Sequence, residues 1–234
     1  MTVLPFHLLP ENAAVDADGQ LTVGGLRLTD LAAEFGTPLF VYDEAHLRAR
    51  CREAVEAFGP GVAYASKAFL CRAMARLAAE EGMRIDVASG GELHVVLAAG
   101  VPAERCVLHG NNKSADELAM AVDAGVGAIV VDSFDELDRL DALLALRPGV
   151  TVRVLIRVTP GIEVHTFEEV QTGQEDSKFG FGWHSGAAEE AAARVRATPS
   201  LHLVGLHVHI GSQVFSVDNF AHAIEIVAPL AREL

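Results

Sequence analysis

From residue 61 onward the chain alternates short runs of β-branched or small apolar residues with amphipathic, alanine-rich helices. A strand, a helix and another strand at this spacing are typical of parallel βαβ units. Right-handed crossovers either close such units into a barrel or lay them in an open sheet. The predicted strands are 62–65, 84–87, 106–109, 128–131, 152–158 and 202–210, and the predicted helices between them include 70–81, 92–99, 115–124, 134–146 and 187–197.

The number of strands limits what this α/β pattern can close into. Six strands are predicted, and a last helix over residues 217–233 follows them, whereas a (β/α)₈ barrel needs eight strands. The helical pattern also stops without a capping residue. The chain therefore forms either an open sheet or a barrel whose sequence is cut short. The motifs described below favour the second, an incomplete TIM-type barrel of about six βα units in a chain that is an N-terminal fragment.

The segment before the repeat has a different character. Residues 1–38 are predicted to form an N-terminal lead-in, and residues 39–234 are predicted to form the partial barrel domain. In the lead-in, Thr29 or Asp30 could cap a short helix. Asp43 is predicted to cap the helix that follows it, whose apolar residues recur at helical spacing.

The composition is typical of a soluble globular protein and argues against several partners. Half of the 234 residues are hydrophobic, and 18 basic against 32 acidic residues give a formal net charge of −14. This negative charge argues against nucleic acid or an anionic membrane as a partner, because both attract basic surfaces. The N-terminus lacks the features of a signal peptide, and no apolar stretch could span a bilayer. We expect a cytoplasmic protein.

The cysteines predict neither a disulfide framework nor a zinc site. Cys51, Cys71 and Cys106 are widely spaced and form no CxxC pair. His207 and His209 could ligate a metal, but no third ligand at a suitable spacing accompanies them. We therefore predict no metal site.

Lys67 is the strongest local signal for chemistry. It ends a predicted strand just before a helix, and side chains alternate along a strand. Ala63, Ala65 and Lys67 are therefore expected to share a face with room for a flat molecule. A desolvated lysine at the carboxyl end of a barrel strand can lose its proton and react with an aldehyde. An ion-paired or snorkelling lysine is the structural alternative.

Charged residues at two other strand ends could complete such a site. Asp86 is expected to lie at the end of the next strand, near enough to Lys67 to pair with its amine. Glu92 opens the following helix, where the helix dipole favours a carboxylate for stability alone. Arg153 and Arg157 share a face of the fifth strand, and a buried arginine needs an anionic partner. Glu92 is a candidate partner for Arg157.

The sixth strand ends in residues that suit a flat, phosphorylated ligand. His207 and His209 point the same way, and an imidazole there could stack on an aromatic cofactor. Gly211 and Ser212 follow directly, with backbone N–H groups and a hydroxyl suited to a phosphate. Each histidine taken singly could equally be a core residue with its hydrogen bonds satisfied.

The polar segments at the strand ends occur as an ordered set. They are Tyr64-Ala65-Ser66-Lys67, Asp86-Val87-Ala88-Ser89-Gly90-Gly91-Glu92, Gly110-Asn111-Asn112-Lys113-Ser114, the loop from His165 to Phe181, and His209-Ile210-Gly211-Ser212-Gln213. Together these segments resemble the diaminopimelate decarboxylase family, from about Leu28 to the end of the chain. The resemblance implies a pyridoxal-phosphate enzyme with an alanine-racemase-like (β/α)₈ barrel, and a C-terminal β-domain that these residues lack.

The resemblance also implies roles for individual residues. Lys67 would carry pyridoxal 5′-phosphate as an aldimine, His209 would stack on its ring and Ser212 would contact its phosphate. The implied catalytic residues are Lys67 and His209, and the implied cofactor-binding residues are Lys67, Asp86, Glu92, Arg157, His209, Gly211 and Ser212. The implied reaction converts meso-2,6-diaminopimelate to L-lysine and CO₂, in a protein that is a homodimer when full-length.

Three alternatives stay open at this point. The chain could belong to another barrel-type decarboxylase acting on ornithine, arginine or carboxynorspermidine. It could belong to an amino-acid racemase, which needs a tyrosine base that would lie outside these residues. It could also be a non-catalytic barrel that binds pyridoxal phosphate.

Overall fold

The computed structural model describes residues 6–161, 178–211 and 216–233. The chain forms two compact units, which are Met1–Val62 with Leu77–Met83, and Ala63–Arg76 with Arg84–Leu234. The division into a lead-in over residues 1–38 and a barrel over residues 39–234 stays a prediction.

The first unit contains a small antiparallel sheet and two helices. Its elements are β1 (Ala14–Val15), β2 (Leu21–Val23), β3 (Leu26–Arg27), α1 (Leu28–Phe35) and α2 (Glu44–Phe58). Asp43 caps α2 as predicted, because its Oδ1 accepts a hydrogen bond from the backbone N–H of His46 at 2.6 Å. The prediction that Thr29 or Asp30 caps α1 is wrong. Strand β3 runs directly into α1, which therefore begins without a side-chain cap.

The βα repeat follows with every predicted strand and helix present. The strands are β4 (Ala63–Ala65), β5 (Arg84–Val87), β6 (Cys106–Leu108), β7 (Ala128–Val131), β8 (Val152–Thr159), β9 (Phe181–Gly182) and β10 (Leu201–His207). The helices are α3 (Arg72–Glu80), α4 (Gly90–Ala98), α5 (Ala115–Ala124), α6 (Phe134–Ala145), α7 (Ala187–Ala197) and α8 (Asp218–Glu233). Among the described strands of the repeat, the short β9, which pairs with the end of β8, is an addition to the prediction.

The main strands form one parallel sheet, as the repeat predicts. Their order is β10-β8-β7-β6-β5-β4, and each neighbouring pair is parallel. Neighbours in the chain are thus neighbours in the sheet, as in a barrel built from successive βα units. In the described part of the chain, β4 and β10 each pair with only one strand. The sheet is therefore an incomplete barrel.

The two faces of this sheet differ in burial. On one face, Ile85, Ile129 and Ile156 are fully buried and form the core with the helices. On the other face, Asp86 and Val107 are only partly buried. This second face carries polar groups, and it is the face on which the site is built. No helix within the described ranges is long and apolar enough to cross a membrane.

Candidate active site

Polar side chains gather at the carboxyl ends of the parallel strands. Lys67 follows β4, Asp86 lies near the end of β5, and His109 follows β6. Farther along the sheet, Arg157 lies near the end of β8 and His207 ends β10. Because parallel strands end at the same edge, the fold brings these residues to the edge where barrel enzymes place their catalytic groups.

Lys67 lies just beyond its strand. It is exposed and occupies a single 3₁₀ turn, Ser66–Ala68, directly after β4. The alternation that predicted a face shared with Ala63 and Ala65 therefore ends at Ala65, before it reaches Lys67. The amine nevertheless lies close enough to Asp86 for its positive charge to act on that carboxyl group.

Asp86 and His109 form a pair at this edge. The Nε2 atom of His109 is 3.2 Å from Oδ2 of Asp86. Burial raises the pKa of Asp86 to about 7; the charge of Lys67 opposes this rise, and the carboxylate of Glu92 adds to it. Near neutral pH Asp86 can therefore hold or release a proton.

Glu92 contacts its own helix start and not Arg157. Its Oε2 accepts a hydrogen bond from the backbone N–H of Ala88 at 2.5 Å, and the Ser89 hydroxyl accepts one from the N–H of Glu92 at 3.2 Å. These contacts agree with the stabilising role at the start of the helix that was given above as the structural alternative for Glu92. It lies near enough to Asp86 to raise the pKa of that carboxyl group.

The partner of Arg157 is Asp132, so the expectation of a pair with Glu92 is wrong. Arg157 is 4% exposed, and its Nη1 donates a hydrogen bond to Oδ1 of Asp132 at 3.1 Å. Oδ2 of Asp132 accepts a hydrogen bond from the backbone N–H of Gly180 at 3.0 Å. The guanidinium carbon lies 4.4 Å from the centroid of the Phe179 ring. Sequence reasoning missed Asp132, although a carboxylate directly after a buried strand was an available signal.

A second buried ion pair fixes the loop after β6. Lys113 is 2% exposed, and its Nζ donates hydrogen bonds to the carbonyl oxygens of Gly110 and Val130, each at 2.7 Å. The same Nζ lies 2.9 Å from Oε1 of Glu136. Burial lowers the pKa of Lys113 and raises that of Glu136 to about 7, while their mutual attraction opposes both shifts. The sequence motif contains Lys113, but burial of a loop lysine leaves no local signal.

Three uncharged imidazoles lie at the same edge. The rings of His109 and His207 stack, with centroids 6.3 Å apart and planes inclined by 24°. Burial lowers the pKa of His109 and His209 to about 4 and that of His207 to about 3, and the neighbouring cations add to this effect. The site therefore holds neutral imidazoles, and Lys67 and Arg157 lie near enough for their charges to act on His109 and His209.

The last predicted residues are only partly described. Gly211 has a φ of +140°, a backbone conformation that residues other than glycine rarely adopt. Ser212 lies outside the described residues, as does most of the loop from His165 to Phe181. A contact between Ser212 and phosphate stays a prediction. Among the residues described, no group of three or more His, Cys, Asp or Glu side chains could hold a metal ion.

The lowered histidine pKa values predict that acid destabilises the protein. In the unfolded chain these imidazoles take up protons near pH 6.5, whereas in the folded protein they stay neutral down to about pH 4 or below. Their stabilising contribution is therefore complete above about pH 6.5 and is lost as the pH falls. Asp86 and Glu136 act oppositely, because their raised pKa values keep protons on the folded protein that the unfolded chain releases above about pH 4.

Between about pH 5 and 6 the unfolded chain binds about three more protons at the imidazoles than the folded protein does, and about two fewer at the two carboxyl groups. The unfolded state therefore binds about one more proton in total. These five groups should therefore make the free energy of unfolding rise by about 1.4 kcal/mol per pH unit. His207→Phe removes one imidazole, so its slope should be smaller by about that amount. Urea unfolding at several pH values in this window measures both slopes. Equal slopes would contradict a neutral, buried His207.

The fold and the site together define a class. A parallel βα sheet with a lysine, an adjacent carboxyl group and neutral imidazoles at its carboxyl edge is a barrel domain suited to a carbonyl cofactor. Residues 44–234 match the family model described as "Pyridoxal-dependent decarboxylase, pyridoxal binding domain". The chain belongs to this family, whose cofactor is pyridoxal phosphate.

Within this family, the chain is similar to proteins named diaminopimelate decarboxylase. The chain is 54% identical over 230 residues to a diaminopimelate decarboxylase of Mycobacterium bovis, covering 97% of this chain and 51% of the relative. It is 49% identical over 212 residues to the diaminopimelate decarboxylase of Bacillus subtilis, covering 88% and 48%. The chain thus spans about half the length of the curated relatives that it matches.

A solved structure of a diaminopimelate decarboxylase has a similar fold. The crystal structure of a diaminopimelate decarboxylase from M. jannaschii in co-complex with L-lysine matches with a TM-score of 0.87 at 32% sequence identity. The match covers 96% of this chain and 54% of that chain. The incomplete sheet therefore corresponds to about half of that solved chain.

Proposed function

We propose that the complete protein decarboxylates meso-2,6-diaminopimelate to L-lysine and CO₂ with pyridoxal 5′-phosphate as its cofactor. The observation that carries this proposal is the position of Lys67 within electrostatic reach of Asp86, at the carboxyl edge of a parallel sheet. The 54% identity to a named diaminopimelate decarboxylase supports this substrate over those of the other barrel decarboxylases.

The donor set fits pyridoxal phosphate. Lys67 supplies an amine for the aldehyde, and the backbone at Gly211 can come close to a phosphate group. The Nδ1 atom of His207 is buried without a hydrogen-bond partner among the described residues, so it is available to a ligand or to water. The residues that would hold the cofactor are Lys67, Asp86, Glu92, Arg157, His209, Gly211 and Ser212. When bound, the cofactor accepts the electron pair that departing CO₂ leaves behind.

The residues of this chain would contribute charge control and positioning. Asp86 can hold or release a proton at its carboxyl group beside Lys67, so the charge of this pair can follow the charge of the ligand. Asp132 neutralises Arg157 and holds its guanidinium in one place. The three neutral imidazoles add flat surface to the site without adding positive charge.

We further propose that the complete protein is a cytoplasmic homodimer without a nucleic-acid partner. Cys51, Cys71 and Cys106 are all free thiols, which suits a reducing compartment. The formal net charge of −14 would repel the phosphates of nucleic acid. Sedimentation equilibrium of the complete protein would test the dimer.

Turnover with a panel of amino acids tests the substrate. The complete protein, loaded with cofactor, should release CO₂ from meso-2,6-diaminopimelate with a kcat/KM at least about 100-fold above that for ornithine, arginine or carboxynorspermidine. The expected product is L-lysine. A preference for one of the other three substrates would favour the alternative decarboxylases. Bound cofactor without any turnover would favour a non-catalytic barrel.

A further inference from the structure

The position of His109 is fixed by the sheet. Its backbone N–H donates a hydrogen bond to the carbonyl of Val87 at 2.8 Å, which continues the β5–β6 pairing beyond the end of β6. Asp86 is paired with Val107 in this register, and His109 lies two residues after Val107. Alternation therefore places the imidazole on the same face as the Asp86 carboxyl group, and its Nε2 reaches Oδ2 at 3.2 Å.

The chain after His109 is held just as firmly. Gly110 has a φ of +121°, and a Cβ there would lie 3.1 Å from the carbonyl oxygen of Ala88, so the backbone turns away in close contact with the β5 end. The buried Nζ of Lys113 joins the carbonyl of Gly110 to that of Val130 on β7. The imidazole itself stacks on His207. These contacts hold His109 in place through its backbone, through the loop that follows it and through its ring.

We propose that His109 is a positioning residue that acts through Asp86. Its Nε2 holds the carboxyl group of Asp86 beside Lys67 and thereby controls the charge that Lys67 meets when it captures the cofactor aldehyde. The proposal rests on the cofactor-binding role of Lys67 given under the proposed function.

The chemistry of imidazole suits this role. A neutral imidazole donates from one nitrogen and accepts at the other, so it can bond the charged or the neutral carboxyl group by changing tautomer. Phenylalanine keeps the ring that stacks on His207 but has no donor. Glutamine has no ring but can place an N–H near the position of Nε2. The two substitutions therefore separate hydrogen bonding from ring packing.

The charged groups around the pair set the direction of the expected change. The charges of Lys67, Glu92 and Arg157 shift the pKa of Asp86. The charges of Lys67, Arg157, Lys113 and His209 lower the pKa of His109. The ring of His109 also stacks on that of His207. A buried carboxyl group that loses a donor keeps its proton to higher pH. A neutral Asp86 no longer attracts the positive charge of Lys67, so capture of the aldehyde should become faster at lower pH.

The test measures capture of pyridoxal phosphate by Lys67 in the complete, cofactor-free protein. Capture is trapped with cyanoborohydride at a series of pH values and quantified by mass spectrometry of the peptide containing Lys67. The rate profile of His109→Phe should move toward lower pH by about 0.5 to 1 unit. Asp86→Asn should move it in the same direction, and adding His109→Phe to Asp86→Asn should move it no further. His109→Gln should keep the wild-type profile.

Two results would overturn the proposal while leaving the function intact. One is a wild-type profile in His109→Phe, and the other is a full additional shift when it is combined with Asp86→Asn. Absence of labelling at Lys67 in the wild-type protein would instead reject the proposed function, and the role of His109 with it. If His109→Phe does not fold, as judged by circular dichroism, His109→Leu takes its place in the same comparison.

Discussion

Lys67→Ala is expected to abolish covalent capture of pyridoxal phosphate and to lower decarboxylation by several orders of magnitude. Lys67 is exposed at the carboxyl edge of the sheet, where its amine can reach an aldehyde. The measurements are the visible absorbance after the cofactor is added, and peptide mapping after borohydride reduction. The absorbance band and the labelled peptide should both be absent from the variant.

The other lysines of these 234 residues can be told apart from Lys67 by their surroundings. Lys67, Lys113 and Lys178 are the three lysines of these 234 residues. Lys113 is buried and holds two carbonyl oxygens and a carboxylate, so it is a poor nucleophile. Lys178 is exposed and serves as the matched control, because Lys178→Ala should keep full labelling. A labelled peptide containing Lys178, or a band that survives in Lys67→Ala, would disprove the role of Lys67.

Asp132→Ala is expected to destabilise the protein by about 3–5 kcal/mol, because it leaves the buried guanidinium of Arg157 without its counter-charge. It also removes the acceptor for the N–H of Gly180, and so loosens the return of the chain after the loop from His165. Urea unfolding of the complete protein, monitored by circular dichroism, measures the loss. A change below about 1 kcal/mol would show that the Arg157–Asp132 pair does not act as a buried ion pair.

A surface aspartate in the same type of pair provides the control. Asp123 accepts hydrogen bonds from Arg147 at 2.7 and 3.0 Å, but it is largely exposed to solvent. Water and salt can replace this partner, so Asp123→Ala should cost far less than Asp132→Ala. Similar losses in the two variants would mean that removal of any paired aspartate, and not burial, decides the effect.

Lys67 and Asp86 could be singled out from the sequence because their signals are local. Each is a charged residue where an apolar β-run ends, and the spacing of successive runs shows which strands are neighbours. Asp132 gives the same kind of signal after β7, but it was missed because Glu92 offered a carboxylate in a motif already singled out. Glu92 could not reach that role, since its side chain bonds the N–H of Ala88 at the start of its own helix.

The sequence by itself determined the βα repeat, the parallel sheet and the edge at which a site forms, because apolar periodicity and strand ends depend on residues near in the chain. Only the tertiary structure decided which charges meet. Arg157 pairs with Asp132, 25 residues away, because the register between β7 and β8 places their strand ends together. Burial of Lys113 and His109 likewise depends on neighbouring strands. A charge acquires its partner and its pKa from the surroundings that folding creates, and no local pattern records those surroundings.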